Sequence, residues 1–194
     1  RILQEPEGQR LTENVVDCTL SMDRRADAGD FPLGRLFFRG YGDMKAKEDL
    51  DLFFSQVDRP RGIYLCGNPD WDFLLNLDLD VLSLDIFTHG EVFSSYAGSI
   101  QRFLDRDGIL VWGLVPSAME TFAAEDPASL IDRLESVWRT LWNKGVDREQ
   151  MIVASMLSPA TCCLINPDKE ATVERAFARV KRIAAELKSR YQLA

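Results

Sequence analysis

The sequence predicts an α/β fold, a parallel sheet covered by helices, of the (β/α)8 TIM-barrel type and incomplete at its N-terminal side. Three observations carry this. A β-type apolar run leads into a helical pattern five times along the chain. No turn signal joins neighbouring runs as a hairpin, so consecutive strands need helical crossovers and run parallel. Three of the runs end at a thiol or a carboxylate, Cys66, Asp85 and Cys162, and residues just past the strands of a parallel barrel converge on one face.

Each unit has its own justification. Leu36-Phe37-Phe38 is followed by Gly40, Gly42 and a helix over Ala46–Ser55 with Leu50, Phe53 and Phe54 on one face. Gly62-Ile63-Tyr64-Leu65-Cys66 is a second run, and Gly67-Asn68-Pro69-Asp70 supplies turn and cap chemistry before a helix through Trp71, Leu74 and Leu75. Asp80–Asp85 makes a third strand; after Gly90, Phe93, Tyr96, Ile100, Phe103 and Leu104 recur at helical spacing until Gly108. Ile109–Val115 is the fourth, halted by Pro116. Asp126-Pro127 then opens a helix whose Leu130, Ile131, Leu134, Val137, Trp138, Leu141 and Trp142 form one stripe ending at Gly145. Met151–Leu157 is the last strand, and after Pro167 a last helix carries Val173, Phe177, Val180, Ala184, Leu187 and Tyr191 on one face.

Adding Ile2-Leu3-Gln4 gives about six strands, fewer than the eight of a barrel, whose usual length is about 250 residues. The chain opens at Arg1, inside an apolar run, and reads as part of something longer. Residues 1–194 are therefore expected to form a single domain, the C-terminal portion of a barrel. An open six-stranded sheet is the alternative, because an incomplete barrel exposes two unpaired edges. No G-x-G-x-x-G or G-x-x-x-x-G-K-[ST] motif supports a nucleotide fold.

Composition excludes some partners. A net charge of −8 and no basic stripe interleaved with aromatics argue against nucleic acid. No apolar stretch approaches the roughly 18 residues that span a bilayer, so no membrane is expected. Four cysteines without a secretory signal point to a cytoplasmic protein.

The chemistry-bearing residues are few. Cys66, Asp85 and Cys162 match the three protein ligands of a catalytic zinc site that keeps one position open. None belongs to a C-x-x-C motif, and each thiol has an alternative as an ordinary buried cysteine. Cys162 and Cys163 are adjacent, so at most one faces the site. Asp85 ends an apolar strand, where a charge needs a partner or a metal; its alternative is a cap for the loop after the strand. His89, the one histidine, is a candidate ligand or general base, or else solvated. Asn68 and Asp70 are helix-start residues beside Cys66 and so candidate substrate contacts. Trp112 is a candidate substrate platform with the core as alternative; Trp138 and Trp142 read as core. Asp147-Arg148-Glu149 reads as a solvated loop.

Several segments together resemble one family. Phe38-Arg39-Gly40-Tyr41-Gly42-Asp43 is similar to a strand ending in Tyr-Phe-Gly-Asp, and Cys66-Gly67-Asn68-Pro69-Asp70-Trp71 to Cys-Gly-Asn-Thr-Asp-Trp. Val81-Leu82-Ser83-Leu84-Asp85 is similar to Val-Leu-Asn-Phe-Asp, Trp112-Gly113-Leu114-Val115-Pro116-Ser117 to Trp-Gly-Ile-Val-Pro-Thr, and Ser158-Pro159-Ala160-Thr161-Cys162 to Thr-Pro-Ser-Cys with one residue more. On these the chain resembles the C-terminal, catalytic part of cobalamin-independent methionine synthase and its short relatives in the uroporphyrinogen decarboxylase/MetE-like barrel superfamily.

The resemblance implies a zinc ion held by a His-x-Cys pair, an acid one strand later and a cysteine near the last strand, activating a thiol for attack on a methyl group. The thiolates fall on Cys66 and Cys162 and the acid on Asp85, while the histidine position is Tyr64. The site is then three-coordinate from protein, completed by His89, or no longer a zinc site. Ile2-Leu3-Gln4-Glu5-Pro6 corresponds to Gln-x-Asp-Glu-Pro, which makes Glu5 the contact to a substrate amino acid. The implied protein is a zinc-dependent methyltransferase of vitamin-B12-independent type, with a small thiol acceptor and a methyl donor as partners. The alternatives are a non-catalytic binding or regulatory descendant, and a partial barrel completed by a homo-oligomer or another chain.

Overall fold

The computed structural model describes residues 15–17, 43–161 and 166–193. The expected strands Ile2–Gln4 and Leu36–Phe38, and the residues Glu5, Cys18, Cys162 and Cys163, lie outside these.

Among the described residues the chain is a mixed α/β fold built on a parallel sheet. β2 (Gly62–Leu65), β3 (Val81–Asp85), β4 (Ile109–Val115) and β5 (Ser155–Pro159) lie side by side in chain order, and a three-residue β1 (Val15–Asp17) extends the sheet beside β2. The helices are α1 (Asp43–Ser55), α2 (Trp71–Leu75), α3 (Ile86–Phe93), α4 (Ala97–Leu104), α5 (Met119–Ala124), α6 (Pro127–Asn143), α7 (Arg148–Val153) and α8 (Ala171–Arg190), with a 3-10 turn at Ser94–Tyr96 joining α3 to α4. A doubly wound sheet reverses its strand order at a switch point. The described strands show no reversal, and right-handed crossovers repeated in one direction place every connecting helix on the same side.

Burial agrees with that one-sided arrangement. Ile63, Leu82, Leu84, Leu110, Trp112 and Leu114 alternate with their neighbours, share one face, and all lie in the core at 3% exposure or less. The opposite face carries Tyr64, Ser83, Asp85, Val111, Gly113, Met156 and Ser158, smaller and more polar side chains. Val81 and Val111 on that face are buried without joining the helix-side core.

The core is organised by aromatic rings meeting edge to face. Centroids run from Trp71 to Phe93 at 5.2 Å, to Trp112 at 5.9 Å, to Trp138 at 6.1 Å and to Tyr191 at 5.6 Å. The series links α2, α3, β4, α6 and the end of α8, and such pairs contribute about 0.5–1.5 kcal/mol each beyond their burial. Helix α6 follows its sequence signals. The Asp126 carboxylate accepts from the Ala128 and Ser129 N–H groups at 2.8 and 2.9 Å, Pro127 takes the first position, and Gly145 beyond the end adopts φ 93°.

Two elements differ from expectation. Helix α3 begins at Ile86, directly after β3, and contains Gly90 rather than following it. A Cβ at Gly90 would lie 2.8 Å from Val137 Cγ2, so its missing side chain lets α3 approach α6. Arg148–Val153 is a helix, capped by Asp147 through the Gln150 N–H at 2.7 Å, and the last strand starts only at Ser155. Met151 and Ile152 are buried, but on a helix. Among the described residues no helix is long and apolar enough to cross a membrane.

Gly113 lies where three strands come close. A Cβ there would stand 2.6 Å from the Leu84 carbonyl oxygen and 3.1 Å from Ala160 Cα, both backbone atoms with little freedom to yield. Gly113→Ala is expected to destabilise the fold by about 1–3 kcal/mol, as overpacking does; a urea midpoint equal to that of the unmodified protein would refute this.

Candidate functional site

The register of the sheet builds the site. Leu65 pairs with Leu84, and Asp85 with Gly113. Asp85 lies in the outermost layer of the strand face opposite the helices, and Cys66 follows Leu65 in the turn just past the end of the neighbouring strand β2. Gly113 and Ser158 continue this layer across β4 and β5. The layer beneath it holds Tyr64, Ser83, Val111 and Met156.

Asp85 is both the last residue of β3 and the N-cap of α3, its Oδ1 accepting the Thr88 N–H at 3.0 Å. It is 2% exposed. Burial raises its pKa above the ordinary carboxylate value, opposed by the Thr88 N–H and hydroxyl, the nearby His89 and the Phe87 N–H. His89 is half-buried one helical turn further on, close enough to act electrostatically on Asp85. Cys66 is a partly exposed free thiol.

The loop after Cys66 is largely occupied with local structure. Asn68 Oδ1 accepts the Trp71 indole N–H at 2.9 Å, and Asp70 caps α2 through the Phe73 N–H at 3.2 Å. Trp112 lies on the helix-facing side of β4, fully buried, with its indole N–H donated to Ser155 Oγ at 2.7 Å. The structure thus places Trp112 in the core, on the face opposite Asp85. Glu5 and Cys162 lie outside the described residues. Among the described residues no three His, Cys, Asp or Glu side chains are grouped so as to hold a metal ion.

Reading the sequence missed the rim between the ends of β4 and β5. Asn166, buried, donates from Nδ2 to the Ser117 carbonyl at 2.9 Å and accepts the Met119 N–H on Oδ1 at 2.9 Å. The Ser117 and Thr161 hydroxyls are hydrogen-bonded at 2.7 Å. The available signals were Pro116-Ser117 just past a strand and Asn166-Pro167 just before a helix, small polar residues at turns that favour side-chain to backbone bonds. Two arginines fasten the neighbouring α5: Arg179 stacks on the Phe122 ring at 3.6 Å and donates to the Phe122 and Glu125 carbonyls, and Arg133 pairs with Glu125.

No protein family, no curated protein and no solved structure matches the chain. The site therefore rests on its own geometry: a thiol and a buried carboxylate at the ends of adjacent parallel strands, a histidine one turn beyond, and a hydrogen-bonded rim across the sheet.

The raised pKa of Asp85 has a defined sign. The folded state holds this proton more tightly than the unfolded chain, so Asp85's contribution to stability is fully present below the ordinary carboxylate pKa of about 4 and is lost as pH rises through the folded value. Asn also serves as an N-cap, so Asp85→Asn is expected to abolish this component of the pH dependence while preserving the helix start. Asp85→Ala should lose the cap, at about 1 kcal/mol. Urea titrations of the three proteins across acidic to neutral pH check both outcomes, and parallel pH profiles for Asp85→Asn and the unmodified protein would contradict the assignment.

Proposed function

We propose that this chain is the C-terminal portion of a (β/α)8-type barrel that binds zinc through Cys66, Asp85 and Cys162 and activates a homocysteine-type thiol for methyl transfer. The observation that supports the reading is the position of Cys66 just past the end of β2 and of Asp85 at the end of the adjacent parallel strand β3. Thiolate and carboxylate donors suit zinc. The consecutive strand order supports the barrel.

In this reading the ion, when bound, supplies the Lewis acidity that lowers the pKa of the acceptor thiol. The remaining work falls to the chain. His89 accepts the thiol proton as general base, Asn68 and Asp70 line the approach beside Cys66, and Glu5 binds the amino group of the acceptor. Trp112 supports β4 from the core and does not touch the substrate. A cytoplasmic setting keeps the thiols reduced.

A second reading is a non-catalytic binding or regulatory descendant of the same barrel. It is favoured by Tyr64, which sits where the resemblance requires histidine, and by the use of Asp85 as a helix cap.

Zinc content by elemental analysis of protein purified without a metal-affinity tag separates the two. About one zinc per chain is expected, as for a mononuclear site, and Cys66→Ser and Cys162→Ser should each lose it. Protein that takes up no zinc after reconstitution would overturn the methyltransferase reading in favour of the non-catalytic one.

A further inference from the structure

Helix α8 is more apolar than its packing requires. Its buried face is Thr172, Ala176, Ile183 and Leu187. Its other long apolar row, Val173, Phe177, Val180 and Ala184, follows the i, i+4, i+7, i+11 spacing of a single helix face. That row is turned to one side of the core, with Phe177 52% exposed and the other three half-buried. The opposite flank is already occupied: Arg179 packs on Phe122 of α5, and Arg190 pairs with Glu135 of α6 at 2.8 Å.

Charge runs along the outer margin of the half-buried row in two halves. Glu170 and Glu174 lie at the N-terminal end and Lys181 and Lys188 at the C-terminal end, all four exposed and at spacings that keep them on one flank. This arrangement is complementary to itself when reversed. About a twofold axis between Phe177 and Val180, an antiparallel second helix sets Val173 against Ala184 of the second copy and Phe177 against Val180 of the second copy. The same operation brings Glu174 near Lys181 and Glu170 near Lys188 of the second copy, each offset along the helix by about one or two residues, within reach of these long side chains, on both sides of the axis.

We infer that α8 is a homodimer interface, in which two copies of the chain pack antiparallel through Val173, Phe177, Val180 and Ala184 with the acidic half of each margin against the basic half of the other. The interface is isologous, so it closes at two copies. It is independent of the zinc chemistry proposed for the strand ends, and it requires that this flank of α8, beyond the edge strand β5, is not covered by the rest of a barrel.

Sedimentation equilibrium of the full chain over roughly 1–200 μM, a range that brackets micromolar association, tests it. The expected result is a monomer–dimer equilibrium. Phe177→Glu should be monomeric throughout, with an unchanged circular dichroism spectrum because the residue is exposed, whereas Phe177→Leu should retain the dimer. Glu174→Lys and Lys181→Glu should each weaken association several-fold, since exposed ion pairs are individually modest but each occurs twice. The double variant, which restores opposite charges across the axis, should recover it. A chain that is monomeric at all concentrations, a dimer unmoved by Phe177→Glu, an open series of larger species, or a double variant as weak as the singles would each overturn the inference.

Discussion

Parallel strands laid down in chain order have one property on which the rest of this structure depends: each must be re-entered from the same end. Every connection therefore crosses back over the sheet, every helix falls on one side, and every strand delivers its last residue to the same rim. The apolar face of Ile63, Leu82, Leu84, Leu110, Trp112 and Leu114 is the consequence on the helix side. The convergence of Cys66, Asp85, Ser117 and Thr161 on one rim is the consequence at the strand ends. At the N-terminal ends of β2 and β3, Arg59 and Arg61 meet Asp78 and Asp80, a network that fastens the strands at the end opposite that rim.

Asp85 is where fold and site compete. As an N-cap it stabilises α3, and as a buried carboxylate it carries a desolvation cost that its hydrogen bonds offset only in part, which is why its pKa is raised. A cation brought to the same rim would act in the opposite direction, favouring the ionised form. The helix start and any bound cation are thus linked through one side chain, and a ligand that altered the charge on Asp85 would alter the stability of α3.

Much of the architecture was legible because it rests on local chemistry. Asp126-Pro127, Gly145, Pro116 and the apolar run Ile109–Val115 mark their elements without help from the rest of the chain. The errors arose where a local signal was reinterpreted by packing. Gly90 resembles a break, but its lack of a side chain serves the contact with Val137; Met151-Ile152-Val153 has the composition of a strand, but the Asp147 cap commits it to a helix turn. In the site, the placement of Cys66 and Asp85 at strand ends followed from the apolar runs that precede them. Trp112 shows the limit of such reasoning, since both faces of β4 are buried and the identity of the residue does not say which of them turns to the helices, where Trp112 lies beside Leu84. The pairing of Asn166 with Ser117 and Met119 spans 49 and 47 positions, and no sequence period connects them.

That last pairing has a consequence for recognition. The backbone of Ser117 and Met119, just past β4, is held by one buried amide, and the Ser117 hydroxyl is engaged with Thr161. These groups have given up their conformational freedom in folding. A molecule arriving at this rim meets a surface already set, so the entropy of arranging it is not charged against affinity, and selectivity there is governed by the shape and polarity that the folded chain presents in advance.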